Sequence, residues 1–131
     1  MLNQITIMGR LTKDVELRYT QTQTPVASFT IACERDFAER GQEKQTDFLN
    51  CVAWRKTAEF AHQYFSKGSM AIVTGRLQTR KWEDRDGNKH TEYEVIADNV
   101  YFGESKKKDE TPKENKPTFE QLPETDGELP F

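Results

Sequence analysis

Two stretches of the sequence each place large aromatic side chains on one face of a predicted strand. Alternate residues of a strand point to opposite faces, so residues of equal parity share a face. Between residues 48 and 54, the even positions carry Phe48, Asn50, Val52 and Trp54. The odd positions are small and apolar, which is typical of a strand face turned toward a core. The aromatic rings are therefore predicted to lie on the face that a ligand can reach.

The second stretch, residues 70–82, combines arginines with a tryptophan. Its odd positions Val73, Gly75 and Leu77 are predicted to point inward. Its even positions are polar or basic and end in an aromatic ring: Thr74, Arg76, Gln78, Arg80 and Trp82. Aromatic rings stack on bases of any sequence, and arginines neutralise phosphates. Taken singly, each residue is better explained as core or solvated strand face, but their joint occurrence favours a surface for single-stranded nucleic acid.

Short strands and turns account for the residues that lead up to these two stretches. Alternation of apolar and polar residues predicts strands at residues 5–7, 27–33 and 47–54. The polar residues 34–46 are predicted to form a long hairpin loop. Both cysteines, Cys33 and Cys51, fall in alternating apolar segments, which favours a buried, reduced pair over a disulfide.

Residues 57–67 change to a helical period, and Gly68 is the predicted stop. Two more strands follow, at residues 70–82 and about 93–97, with a hairpin turn at Asp86-Gly87. The order of three strands, one helix and two strands predicts an all-β protein, a five-stranded OB-fold barrel with one inserted helix. The same pattern also fits other small β folds.

The charge of the chain is unevenly distributed. The net charge is −3, yet residues 1–103 contain fourteen basic and fourteen acidic residues, so the acidic excess lies in residues 104–131. A neutral domain can bind phosphates when its bases cluster on one face. The start of the sequence lacks the features of a secretory signal and no apolar run reaches the length of a membrane span, so a cytoplasmic protein is expected.

The sequence contains few residue patterns that are typical of a metal site or of an enzyme active site. His62 and His90 belong to no metal-binding pattern, so we expect no metal and no cofactor. The acids of residues 83–86 superficially resemble a calcium loop, but the glycine that an EF-hand requires at its sixth position is missing. No phosphate loop or nucleophile elbow is present, so the chain is not expected to be an enzyme. A nuclease that uses the acids of residues 83–86 is the weakest hypothesis.

The composition divides the chain into three parts. Residues 1–103 form the predicted domain. Residues 104–125 are rich in Glu, Pro, Thr and Lys, cannot bury enough apolar surface to offset their ordering entropy, and are expected to form a disordered linker. Residues 126–131 form an acidic tip that ends in Leu-Pro-Phe.

The sequence resembles the bacterial single-stranded DNA-binding protein family. The segments that carry the resemblance are IMGRLTKD (7–14) with ELR (16–18), VASFTIA (26–32), TDF (46–48), VAW (52–54) with AE (58–59), YFSKGS (64–69) and GRLQTRKW (75–82). The resemblance covers residues 1–103 and implies an OB-fold that usually forms a homotetramer wrapped by single-stranded DNA. By position, it implies DNA-stacking residues Phe37, Phe48, Trp54 and Trp82. It implies phosphate contacts from Arg35, Arg55, Lys56, Arg76, Arg80, Lys81 and Lys89, together with Arg10 and Lys13.

The end of the chain resembles the acidic tip of the same family, on which replication, recombination and repair proteins dock. The corresponding residues are Asp126, Glu128, Leu129, Pro130 and Phe131. A terminal Phe suits a hydrophobic pocket, and the neighbouring carboxylates suit a basic rim. Gly127 interrupts the acidic run and the linker is short for the family, which also fits a phage- or element-encoded member or a shorter paralogue.

We therefore expect a nucleoid-associated protein that binds and protects single-stranded DNA without sequence preference and recruits DNA-processing proteins through its tip. The alternative is an OB-fold assembly or adaptor protein whose DNA binding is incidental. The two differ in the exposed face, because a protein interface favours uncharged aliphatic side chains over interleaved Arg and Trp.

Overall fold

The computed structural model describes residues 1–105, which fold into strands and one helix. The elements in chain order are β1 (Ile5–Leu11), β2 (Glu16–Tyr19), β3 (Pro25–Glu34), β4 (Thr46–Trp54), α1 (Arg55–Tyr64), β5 (Met70–Glu83) and β6 (Lys89–Phe102). The predicted strands and helix are all present. The short strand β2 was not predicted, because it lacks a clear apolar alternation and Leu17 is only half-buried.

Five of the strands close into a ring. β1 pairs with β5, β5 with β6 and β4 with β3 in antiparallel fashion, whereas β6 and β4 run parallel. Two pairs, Arg10–Ala32 and Leu11–Ile31, join β1 to β3 and complete the ring, while β2 pairs with β3 outside it. A ring of five strands with a helix between β4 and β5 is the OB-fold that the order of elements predicted.

The core of the ring follows the predicted parity. Ala27, Phe29 and Ile31 of β3 face Ala53 and other small or branched side chains of the neighbouring strands, all of them buried. The largest residue among these, Phe29, lies opposite Cys51. Alternation of period two therefore identified the inner face of the barrel correctly.

The helix closes one end of the core, but its bounds differ from the prediction of 57–67. It begins at Arg55 directly after β4 and ends at Tyr64. Ala58, Ala61 and Phe65 are buried as the helical spacing predicted, and the Phe65 backbone N–H still donates to the Ala61 carbonyl oxygen. Gly68 stands in the following turn at φ +90°, a conformation that favours glycine.

A bulge lets β5 and β6 curve into the ring. Thr74 pairs with Asn99, whereas Gly75 pairs with Ala97, so Asp98 is the extra residue. The two backbones approach so closely here that a Cβ on Gly75 would lie 1.9 Å from the Ile96 carbonyl oxygen. The glycine is therefore a requirement of barrel closure rather than of a turn.

Beyond the ring, residues 76–94 form a two-stranded extension that we call the hairpin arm. β1 pairs with β5 no further than Gly75, and past that point both faces of the arm are largely exposed. Leu77 is consequently 39% exposed, and the prediction that it would be buried inside was wrong because no strand covers it. The Asn3 side chain donates to the Leu77 carbonyl oxygen at 2.8 Å and accepts from its N–H at 3.0 Å.

The cysteines behave as two separate thiols. Cys51 is buried, and burial raises the pKa of its thiol to about 12. Cys33 is only half-buried and lies opposite Asp47 at the far end of β3, so the predicted burial holds for one cysteine of the two. Within residues 1–105, no helix is long and apolar enough to cross a membrane.

Candidate nucleic-acid interface

One continuous outer face joins the two aromatic stretches of the sequence. Ser28 of β3 lies beside Val52 of β4, Val52 beside Ile96 of β6, and Ile96 beside Arg76 of β5. Every one of these positions points away from the core. We define the outer face as the solvent-facing side of β3, β4, β6 and β5, including the same side of the hairpin arm. The predicted stacking positions of β4 and β5, together with Arg76 and Arg80, therefore belong to a single surface.

Three of the four predicted stacking residues lie on this outer face. Phe48 and Trp54 stand at opposite ends of β4, about 20 Å apart at the rise of an extended strand, and are 65% and 43% exposed. Trp82, 40% exposed, lies near the tip of the hairpin arm on the side of Arg76 and Arg80. Exposed rings at these positions are available for stacking and contribute little to the core.

The fourth predicted stacking residue, Phe37, lies in the loop between β3 and β4 and is 87% exposed. It borders a shallow groove together with Arg35 and Asp47. The Arg35 guanidinium donates two hydrogen bonds to the Asp47 carboxylate, both of 3.0 Å, and this contact lowers the pKa of Asp47. A phosphate that binds Arg35 must therefore compete with Asp47.

The arginines on β5 differ in their partners. Arg80 forms ion pairs with Glu92, at 2.6 Å between Nη2 and Oε1, and with Glu94, at 3.6 Å. Arg76 donates to the uncharged Gln78 amide oxygen at 2.7 Å and forms no ion pair within residues 1–105. Arg76 is thus the arginine of the outer face whose charge is less compensated.

The remaining predicted phosphate-binding residues lie around this face or away from it. Arg55 and Lys56 begin α1 directly after Trp54 and are exposed. Lys81 and Lys89 have odd parity in the hairpin arm, which places them on its opposite face. Arg10 lies on β1, where it forms a bidentate pair with Glu104, and Lys13 follows in the turn after β1.

Arg55 adopts an unusual backbone conformation for its residue type. Its φ of +59° lies in the left-handed region, which is costly for a residue with a Cβ. This turn redirects the chain from β4 into α1 and leaves the Trp54 side chain, 43% exposed, as the last residue of the strand. The strained position thus adjoins a predicted stacking residue.

Sequence reasoning missed one participant of this surface, His90. The hairpin turn pairs Trp82 with His90, and their rings stack with centroids 4.4 Å apart and an angle of 20° between planes. The signal that reveals this neighbour is the register: residue 84 bonds to residue 88 across a three-residue loop, which sets residue 82 opposite residue 90.

The acids of the hairpin turn serve its backbone. Asp84 accepts hydrogen bonds from the N–H groups of Asp86 and Asn88, at 2.9 and 2.8 Å. Together with the His90 ring, which is the main cause, these donors lower the pKa of Asp84. Among residues 1–105 no group of three or more His, Cys, Asp or Glu side chains is arranged to hold a metal ion.

The ring of five strands and its outer face define an OB-fold protein with an exposed aromatic and basic surface. A sequence profile of the single-strand binding protein family matches residues 2–103. The chain belongs to the single-strand binding protein family.

Several bacterial relatives are identical to this chain at about half of the aligned residues. "Single-stranded DNA-binding protein 2" of Listeria monocytogenes is 49% identical over 106 residues, which cover 81% of this chain and 66% of the relative. "Single-stranded DNA-binding protein" of Bacillus cereus is 50% identical over 102 residues, 78% of this chain and 60% of the relative. The protein of that name from Caldanaerobacter subterraneus is 46% identical over 106 residues, 81% of this chain and 71% of the relative. The match to the first two thus spans slightly less than two thirds of their length.

The predicted docking tip, Asp126, Glu128, Leu129, Pro130 and Phe131, lies outside the described residues, as does residue 106 onward of the predicted linker.

Proposed function

We propose that this protein binds and protects single-stranded DNA by base stacking and phosphate contacts, without sequence preference. The observation that carries the proposal is the continuous outer face that bears Phe48, Trp54 and Trp82 in exposed positions. Aromatic stacking contributes about 1–3 kcal/mol per base and accepts every base. The relatives are named as single-stranded DNA-binding proteins, which supports the same function.

Electrostatics favour this surface for DNA over a protein-docking role. Arg76 and Arg80 share a face of β5 with the exposed ring of Trp82, which sets phosphate-binding groups beside a stacking platform. Phosphate contacts from arginines act on every sequence alike and make binding dependent on salt. The adaptor alternative, with incidental DNA binding, is therefore less well supported on this face.

The decisive experiment is a fluorescence titration of the full chain with an unstructured single strand and with a duplex of matched length. Stacking on Trp54 and Trp82 should quench tryptophan emission with the single strand, and high salt should weaken binding. Equal or tighter binding of the duplex would contradict the proposal, as would binding of a single strand without any quenching.

We also propose that the chain assembles into a homotetramer. Two features of β1 support this. Residues 5–8 pair with β5 on one side and with no strand of residues 1–105 on the other, so a strand edge is open. On the outside of the same sheet, Met8, Ile72 and Tyr101 form an apolar row, with Met8 and Tyr101 each about half exposed.

Light scattering coupled to size exclusion tests the assembly. The wild type should elute with the mass of four chains, and Met8→Asp should reduce that mass because it places a charge in the apolar row. Thr57→Asp, on the helix, is the control and should leave the mass unchanged. A monomeric wild type at micromolar concentration would overturn the proposal.

We further propose that the tip recruits replication, recombination and repair proteins. The support is its composition, since a terminal Phe beside carboxylates suits a pocket with a basic rim. Deletion of Leu129, Pro130 and Phe131 should abolish capture of such proteins from a bacterial lysate and leave single-strand affinity intact. Phe119→Ala serves as the control within the tail. Retention of the same partners by the truncated protein would contradict this role.

A further inference from the structure

His90 occupies the outer face of the hairpin arm, directly against the predicted stacking residue Trp82. The two rings stack at 4.4 Å, and the His90 Nε2 atom lies 2.8 Å from Asp84 Oδ2. Asp84 itself is anchored, because it accepts hydrogen bonds from two backbone N–H groups of the turn. The turn thus fixes Asp84, Asp84 orients the imidazole, and the imidazole covers one face of the indole.

Within residues 1–105, the charged groups that contact His90 or line the groove beside it belong to the same hairpin. Asp84 is in direct contact, and the groove beside Trp82 is also lined by Lys81, Glu83 and Lys89. Glu92, the next β6 residue on the same face, is already engaged by Arg80. Protonation of His90 therefore changes the charge at a position where one anion, Asp84, is held in place to receive it.

We propose that His90 is a positioning residue for Trp82 and that its protonated form contributes a positive charge to the path of the DNA strand, so that binding strengthens as the pH falls from 8 to 6. This inference rests on the proposed function. Imidazole changes charge in this interval, and a cation stacked on an indole is favourable. With one indole face occupied by His90, the opposite face of Trp82 is the one that receives a base.

The sign of the effect follows from the charge. The neutral imidazole fixes the ring of Trp82 by stacking alone. The imidazolium retains the stack, pairs with the Asp84 carboxylate and adds one unit of positive charge beside Trp82. Each phosphate neutralised steepens the fall of log K with log salt by about 0.7 for a single strand.

The test compares the wild type with His90→Phe and His90→Arg in titrations with oligo(dT), since thymine does not change charge between pH 6 and 8. For the wild type, affinity at pH 6 should exceed that at pH 8 by about two- to fivefold, the range of one exposed charge pair. The salt slope should be steeper at pH 6 by up to about 0.7. His90→Phe preserves a stacked ring and should lose both differences. His90→Arg should bind at both pH values as the wild type does at pH 6.

His62→Gln is the matched control, because His62 lies in the last turn of α1 and should leave the pH difference unchanged. A second readout needs no DNA. In a Trp54→Phe background Trp82 is the only tryptophan, and its emission should change between pH 5 and 8 unless His90 is replaced by Phe.

The outcomes separate the two proposals. A wild type that binds no single strand at any pH would overturn the proposed function. Binding whose pH and salt dependence is the same in the wild type and in His90→Phe would overturn the role of His90 alone. A Trp82 emission that does not respond to pH in the free protein would contradict the contact on which this role depends.

Discussion

The barrel and the hairpin arm are built from the same strands, β5 and β6, yet they obey different constraints. Inside the ring, Ala71 and Val73 of β5 are fully buried, because alternate side chains of this strand point into the core. Past Gly75 the same two strands continue with both faces largely exposed. No burial requirement acts there on Arg80, Trp82 or His90, which are the residues that we propose to contact DNA. The comparison shows that one length of the hairpin builds the core, and the other length is exposed and is the part that we propose binds DNA.

The largest expected effect is on the free energy of unfolding, and it is tested by replacing phenylalanine with alanine at two positions. Phe29→Ala, on the inner face of β3, should lower the free energy of unfolding by about 3–5 kcal/mol, because it leaves a cavity in the core. Phe48→Ala, on the outer face of β4, should change it by less than about 0.5 kcal/mol. Urea unfolding followed by circular dichroism measures both. Similar losses in the two variants would remove the distinction between inner and outer faces.

The reverse pattern is expected for DNA affinity. Phe48→Ala, Trp54→Ala and Trp82→Ala should each weaken single-strand binding by about 1–3 kcal/mol, since each removes one stacking platform. Tyr93→Ala is the control, because Tyr93 is 61% exposed but lies on the opposite face of the hairpin arm. Unchanged affinity in all three variants, measured by fluorescence anisotropy of a labelled strand, would refute the stacking surface.

The fold could be predicted where burial imposes a period. Ala27 and Ile31 on β3, and Ala58 and Ala61 on α1, alternate or recur because one face must leave water, and the structure buries all four. Leu77 followed the same parity but stands beyond Gly75, where the pairing of β5 with β1 ends, so its exposure could not be derived from an alternating pattern. The strand Glu16–Tyr19 escaped notice for a similar reason, since it forms an edge outside the ring with no buried residue.

The residue types of the sequence predicted which aromatic side chains are exposed at the candidate site, but they did not predict which charged residues form ion pairs there. The exposure of Phe37, Phe48, Trp54 and Trp82 agrees with the positions expected from the sequence, while their role in DNA binding stays a prediction. Partners such as Glu92 for Arg80 come from cross-strand register, which a pattern of residue types does not specify.

The salt dependence of DNA binding should distinguish Arg76 from Arg80, because only Arg80 forms ion pairs with acidic residues of the arm. Arg76→Ala should reduce the slope of log K against log salt by about 0.7 and weaken binding to all sequences equally. Arg80→Ala should have a smaller effect on affinity, because Glu92 and Glu94 already compensate part of that charge. A change of base preference at an unchanged slope would contradict the assignment of Arg76 to phosphates.

The smallest expected effect concerns Asp47, which pairs with Arg35 beside Phe37. Asp47→Asn should slightly raise single-strand affinity, because it releases the guanidinium for a phosphate. Since Arg35 lowers the pKa of Asp47 in the folded protein, the stabilisation from this pair is present at neutral pH and is lost as the pH falls through that lowered value.

Acid titration of unfolding with and without Asp47→Asn measures this contribution. The wild type should lose slightly more stability than the variant between pH 5 and pH 2. Identical acid profiles, together with an unchanged DNA affinity, would show that the ion pair neither stabilises the loop nor competes with the strand.

The closure of the ring also has a consequence for how fast the protein forms. The ring includes the pairing of β1 with β5 and the parallel pairing of β4 with β6. Because these strands are distant along the chain, the entropy cost of bringing them together precedes any stabilisation from their pairing. The hairpin arm needs only its own short turn. Proteins dominated by such distant pairings fold in about milliseconds to seconds, whereas a hairpin forms in about 1–10 microseconds. We therefore expect the turn around Gly87 to exist, at least transiently, well before the barrel that carries it has assembled.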